Sequence, residues 1–172
     1  MEEVQMMTAG NAEAIQKRPV VRTDHSLYYE DMEVGQVYRS SSRTLTEADL
    51  TMFSMLSGDW NQVHADATHM EAQGGERLLH GALGIAVVTG LMDRAGWFGT
   101  SAIAMTDIGD WAFVRPLCCG DTVTMEMEIV GCRVVSAGDK GIVSRVFTLF
   151  NQNGEIVQRG KSGMLIKLER DR

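Results

Sequence analysis

Between Thr122 and Ile129 the chain alternates strictly, with Thr122, Thr124, Glu126 and Glu128 polar and Val123, Met125, Met127 and Ile129 apolar. A period of two is that of a β-strand with one face on a core and the other in water. Two further strands are predicted in GIVSRVFTLF (141–150) and EIVQRGKSGMLIKLE (155–169), joined through Asn153-Gly154, a pair suited to a type I′ hairpin turn. VYRSSSRTL (37–45) and IAMTDIGDWAFV (103–114) add strand-like stretches, making five or so strands in all. HGALGIAVVTGLMDRAGW (80–97) differs in kind, being apolar or small on every face from Ala82 to Met92. A surface helix keeps a polar stripe, so this one is expected to be enclosed, with Gly84 and Gly90 marking close approach of another backbone. A shorter helix is predicted from Thr46 to Gly58, where Thr46 caps and Asp49 follows three residues later. The expected fold is α+β, an antiparallel sheet curled around one buried helix.

With 172 residues, 44% of them apolar, the chain is long enough for one domain with a substantial core. Its net charge of −7 and the lack of any Lys/Arg block argue against a nucleic-acid partner. No stretch approaches the ~20 apolar residues of a membrane span. The acidic start has neither a basic n-region nor an apolar h-region, which points to a cytoplasmic protein with no membrane partner. Cys118, Cys119 and Cys132 lack metal-finger spacing and are expected as reduced, packed thiols. Residues 1–27 are weakly patterned and read as an N-terminal extension, with a partner subunit as one docking candidate; the domain proper is expected over 28–172.

The chemistry gathers between the two helices. GDWNQVHAD (58–66) sets Asp59 five residues before His64, and three of the four histidines fall between Asp59 and His80. Asp59 lies just beyond a helix C-terminus, where the dipole gives a carboxylate no support, so capping does not explain it. An imidazole can take a proton from water and a carboxylate can orient it or handle a second proton, which suits addition or removal of water. The bland alternative gives both side chains to loop hydrogen bonds. At Gly81 the helix begins, and unpaired N–H groups at such an end can hold a developing oxyanion. Asp66, His64, His69 and His80 match no common metal-ligand spacing, and no metal is expected. Thr89 either bonds back to a helix carbonyl or lines a pocket.

Taken together, RTLTEADLTMFSMLSGDWNQVHAD, LLHGALG and AFVRPLCCGDTVTMEMEI resemble the MaoC-like dehydratases and R-specific enoyl-CoA hydratases, from about Tyr28 onward. The resemblance implies the hot-dog fold and a homodimer or assembly of dimers. It also implies an acyl-CoA thioester as substrate, with coenzyme A carried by the substrate and no separate cofactor. Asp59 and His64 fall on the family's catalytic pair, and Gly81 where a backbone N–H holds the thioester oxygen. Asn61 matches the motif's Asn, and Thr89 a pocket serine of some members; with His80, these are the expected substrate-binding residues. Gln62-Val63 stands where the common motif has Pro-Leu, so the loop lacks one fixed φ. The expected enzyme is a hydro-lyase; a hot-dog thioesterase and a non-catalytic acyl-CoA-binding subunit are the alternatives. Met92, Trp97, Phe98 and Trp111 either limit acyl length or belong to the core, and Arg77, Arg94 and Arg115 are candidates for meeting the CoA phosphates.

Overall fold

The computed structural model describes residues 20–169 apart from Arg22 and Asp24. Strands β1 (Val20–Val21), β2 (Val37–Arg39) and β3 (Arg43–Thr44) precede helix α1 (Glu47–Ser57). Two short helices, α2 (Gln62–Ala65) and α3 (Ala67–Ala72), lead to the long α4 (Gly81–Arg94). Strands β4 (Ala102–Met105), β5 (Gly109–Phe113), β6 (Thr122–Val134), β7 (Lys140–Phe150) and β8 (Ile156–Lys167) complete the chain. The sheet runs β1-β2-β6-β7-β8-β4, with β3 also on β6 and β5 also on β8. Every pairing is antiparallel except β1 on β2, which is parallel.

The sheet curls around α4 as the alternation predicts. Val123, Met125, Met127 and Ile129 of β6 are all fully buried and share one core with Leu83, Val87, Val88 and Leu91 of α4. Each such side chain contributes about 1.5–3 kcal/mol of transfer free energy. The face of β6 expected to be wet is only partly so, because Glu126 is 3% exposed and paired with Arg39, whose Nε donates to Oε1 at 2.9 Å.

The sequence expectation needs correction in several places. VYRSSSRTL is two strands, since Ser40 turns inward and its hydroxyl accepts the Met125 N–H at 3.0 Å. IAMTDIGDWAFV likewise breaks, because Asp107 accepts the Gly163 N–H at 3.0 Å between β4 and β5. These two interruptions raise the five expected strands to seven, and β1 makes eight. The β7–β8 hairpin forms, but not through a type I′ turn. That turn needs positive φ at both central residues; Gly154 has φ +74, and Asp110 is the only non-glycine with positive φ among the described residues. The Asn151 carboxamide instead accepts the N–H groups of Asn153 and Glu155, both at 3.0 Å, and the longer loop ends in a bulge at Leu149/Phe150.

Helix α4 is enclosed on all sides but one, where Ala82, Ala86 and Gly90 form an exposed stripe at four-residue spacing. Gly84 is a close approach, though to a side chain: a Cβ there would lie 2.2 Å from the Gln158 amide. Gly90 meets nothing within 4 Å, so within this chain its expected close approach is not found. Of the N-terminal extension, residues 1–19 lie outside the described residues, Val20–Val21 extends the sheet, and Leu27 is buried with its N–H bonded to the Trp97 carbonyl at 2.7 Å.

Candidate active site

Helix α1 stops at Gly58, whose φ of +75 only glycine adopts cheaply, and whose N–H closes onto the Ser54 carbonyl at 2.9 Å. The chain then folds on local polar bonds. Ser57 Oγ accepts the Asp59 N–H at 3.2 Å, Asp59 Oδ1 accepts the Asn61 N–H at 3.1 Å, and Asn61 Oδ1 accepts the Val63 N–H at 3.2 Å to cap α2. Asn61 thus shapes the loop and does by hydrogen bonds what a proline would do by ring closure. One turn of helix later, His64 faces back toward Asp59.

His64 Nδ1 lies 2.7 Å from the Leu78 carbonyl oxygen. A carbonyl can only accept, so Nδ1 carries the proton and the neutral ring presents the Nε2 lone pair. That nitrogen sits 3.7 Å from Asp59 Oδ2, close enough for one water to touch both. The Asp59 side chain is half exposed and that of His64 is 13% exposed, so the pair opens to solvent on the carboxylate side.

His80 packs behind them. It is 3% exposed, stacks on the His64 ring with centroids 3.7 Å apart, and meets the tilted Phe53 ring at 5.1 Å. Its Nε2 donates to the Asp59 backbone carbonyl at 2.9 Å, leaving Nδ1 buried without a partner. His80 therefore reaches the site through Asp59 and His64, by holding the backbone of one and the ring of the other.

Gly81 is the first residue of α4, where the N–H has no acceptor within the helix. Its carbonyl accepts from Gln158 Nε2 at 3.0 Å, and Gln158 Oε1 accepts from Trp111 Nε1 at 3.1 Å, so the buried amide ties the helix start to the sheet. A Cβ on Gly81 would lie 2.9 Å from the Phe113 ring. Further along α4, Thr89 does both things considered for it: its hydroxyl donates to the Ala86 carbonyl at 2.7 Å, and it lines a cavity of about 170 Å³. Met92 and Trp111 line that cavity too, whereas Trp97 and Phe98 belong to the core.

The metal set weighed from sequence is divided. Asp66 caps α3 by accepting the His69 N–H at 3.0 Å, and His69 faces Gln73 at 2.7 Å. The structure instead brings ligand atoms of Asp59, His64 and His80 within 4.8 Å of one another. Of these, His80 would have to release the Asp59 carbonyl to offer Nε2 to an ion. Arg77 is paired with Glu47 and Arg115 with Glu155 at 3.3 Å, while Arg94 is exposed at the end of α4. Cys118 and Cys119 are free thiols pushed up to about 11, mainly by burial and then by Glu76 and Glu47 respectively, which leaves them protonated near neutrality.

Two residues escaped the sequence reading. Gln158 and Arg145 are each 2% exposed, one supporting Gly81 and the other lining the cavity. Arg145 did carry a signal, since it lies in phase with Val143, Phe147 and Leu149 on the core face of β7.

Among the described residues no helix is long and apolar enough to cross a membrane. The chain is 30% identical over 134 residues to the (R)-specific enoyl-CoA hydratase of Aeromonas caviae, covering 77% of this chain and 94% of that protein. It is 35% identical over 101 residues to protein MaoC of Klebsiella aerogenes, a match that takes in 58% of this chain but only 30% of MaoC. Among solved structures, a monoamine oxidase regulatory protein from Archaeoglobus superposes with a TM-score of 0.76 at 27% identity, over 86% of this chain and 99% of that one. A Mycobacterium tuberculosis protein with a double hot-dog fold has a TM-score of 0.74 at 21% identity, over 86% of this chain and 46% of its own, and the fold here is the same hot-dog. The profile of the MaoC like domain matches residues 31–149, and the chain belongs to that family.

Proposed function

We propose that the protein is a hydratase, or in reverse a dehydratase, of 2-enoyl-CoA and 3-hydroxyacyl-CoA thioesters. The observation that carries this reading is the 3.7 Å gap between Asp59 Oδ2 and His64 Nε2, with the His64 tautomer set by Leu78. A water in that gap loses a proton to the dyad as its oxygen bonds to C3 of the enoyl group. The C2=C3 π electrons move toward the thioester oxygen, where the Gly81 N–H receives the developing charge. Return of a proton to C2 completes a syn addition of one water and restores the dyad.

The name and 30% identity of the Aeromonas hydratase support the reaction. In the proposed reading the CoA moiety belongs to the substrate and the chemistry calls for no separate cofactor or metal. A homodimer or an assembly of dimers in the cytoplasm is the proposed working form. It is supported by the exposed α4 stripe, by Ile103, Met105 and Ile108 at 41%, 53% and 46% exposure, and by the double hot-dog relative. The regulatory name of the Archaeoglobus structure favours a second reading, binding of the thioester without turnover. Loss of enoyl-thioester absorbance with crotonyl-CoA and longer 2-enoyl-CoAs, with free thiol followed in parallel, separates the readings. Absorbance loss without thiol supports hydration, thiol release means thioester hydrolysis, and binding with neither means a regulatory subunit.

A further inference from the structure

Arg145 projects from the middle of β7 into the interior and is 2% exposed. Burial lowers its guanidinium to about 10, with the field of Asp107 opposing, so it stays cationic near neutrality. An interior cation ordinarily has a carboxylate partner, because its desolvation is otherwise uncompensated. Among the described residues none lies within 4.0 Å of this one. Asp107 directs its oxygens elsewhere, accepting from Gly163 N at 3.0 Å and Thr106 Oγ1 at 2.9 Å.

The contacts Arg145 does make are weak. Nε reaches the Ser162 carbonyl, and Nη2 reaches Ser162 Oγ and the Gly163 carbonyl, all at 3.4 Å, beyond the usual 2.7–3.2 Å. Nη1 has only the thioethers of Met92 at 3.1 Å and Met164 at 3.6 Å. Phe147 and Phe98 hold the guanidinium between ring centroids at 5.0 and 5.7 Å, which fixes its place without neutralising it.

This cation lines the 170 Å³ cavity, whose walls are otherwise apolar apart from Thr89 and Ser162. Both hydroxyls are committed, Thr89 to the Ala86 carbonyl and Ser162 to the Asp107 carbonyl at 2.8 Å. Ile85 and Thr89 line the cavity and follow Gly81 at four-residue spacing, so the cavity, which Gly81 itself does not line, lies further along the face of α4 that starts at the proposed oxyanion site. Gly81 and Met92 are separated by about 16 Å of helix rise, and the Met92 side chain leans back toward Gly81. An acyl chain of several carbons, with its carbonyl at Gly81, would therefore bring its far end to the guanidinium.

The geometry points to Arg145 as the residue that reads the acyl group, through a paired hydrogen bond to a terminal carboxylate, which makes ω-carboxyacyl-CoA thioesters the substrate class. This rests on the acyl-CoA reading of the site. A plain alkyl chain would bury methyls against an unneutralised charge, whereas a carboxylate supplies the missing partner.

Calorimetric titration of the full chain with two unreactive pairs tests this: adipyl-CoA against hexanoyl-CoA, and suberyl-CoA against octanoyl-CoA. At least one ω-carboxy ester is expected to bind about 30-fold more tightly than its plain partner. Arg145→Met should abolish that ratio and Arg145→Lys should keep part of it, with circular dichroism establishing that both fold. Equal or weaker binding of the ω-carboxy esters by the unaltered protein overturns the inference, whatever the variants do. Hydration of the matching 2-enoyl esters is measured alongside. A binding preference without turnover leaves Arg145 in place and removes the hydratase reading; turnover without preference does the reverse. Binding of no ester from either pair, with no turnover, removes both.

Discussion

The two ends of α4 carry polar groups of opposite character. At its start, Asp59, His64 and His80 sit on loop and helix-end backbone, and every bond that orients them runs to a neighbour near in sequence or to the Leu78–Gly81 segment. Toward its end, Arg145 comes from a central strand, is framed by rings and thioethers, and lacks a charged partner. In the proposed reading the first arrangement awaits a water and a substrate carbonyl, and within it the buried His80 Nδ1 is unpaired. The second is complete only when an anion is added. A catalytic group must be poised before substrate arrives, whereas a specificity group gains by being unsatisfied until it does.

Breaking the first end should have the largest consequence. Asp59→Asn and His64→Gln are nearly isosteric, so each should lower kcat for enoyl-CoA hydration by about 10³-fold with little change in Tm, within the usual range for a general acid–base group. Near-normal turnover in either variant would take that residue out of the mechanism. Gly81→Pro should cost about 10²-fold, the loss expected for one oxyanion donor, because proline suits the first helical position and removes little except the N–H. Since a side chain there meets Phe113, the same change in a Phe113→Ala background separates the missing donor from the clash. Equal rates with and without the proline in that background would exclude the oxyanion role.

Gln158 braces the helix start from β8 and holds Trp111, which lines the cavity. Gln158→Leu leaves the Trp111 N–H without its acceptor and takes the side-chain donor from the Gly81 carbonyl, a loss of about 1–3 kcal/mol in unfolding free energy. Denaturant titration should show that loss, together with a roughly tenfold fall in kcat. A stability loss without a rate change would mean that the brace supports the fold and not the position of Gly81. Smaller still should be the effect of a chelator. If Asp59, His64 and His80 work without an ion, prolonged dialysis against EDTA leaves hydration unchanged and the Asp59→Asn defect is not relieved by zinc; a rate restored by one divalent metal would make the cluster a metal site.

The legibility of the two ends in the sequence differs for a physical reason. Asp59, Asn61, His64 and Gly81 are placed by caps, an Asx turn and a helix start, devices that act over a few residues and leave a local pattern. The period-two runs show the sheet, and the all-apolar stretch shows α4, because face burial imposes those periods directly. The breaks at Ser40 and Asp107 were not legible, since each depends on a bond to a strand more than fifty residues away. Gln158 and Arg145 are of the same kind: one polar residue in an apolar phase looks like an irregularity until β8 and β7 are laid against α4. His80 stood next to Gly81 and was expected at the substrate, but only the fold shows it stacked behind His64.

A stability measurement sharpens the contrast with the smallest effect. If Arg145 existed to hold the fold, its removal would leave the 3.4 Å contacts unmade and lower Tm. If it is a cation awaiting an anion, the empty protein bears its desolvation cost, and Arg145→Met replaces that cost with a flexible apolar side chain among Met92, Met164 and Phe147. Unfolding of the ligand-free variant should then be unchanged or more costly by about 0–2 kcal/mol. Addition of suberyl-CoA should reverse the order, raising the Tm of the unaltered protein above that of the variant, because ligand bound only to the native state stabilises it by mass action. A variant less stable than the parent by the same margin with and without suberyl-CoA would make Arg145 a structural residue and leave the cavity to apolar acyl chains.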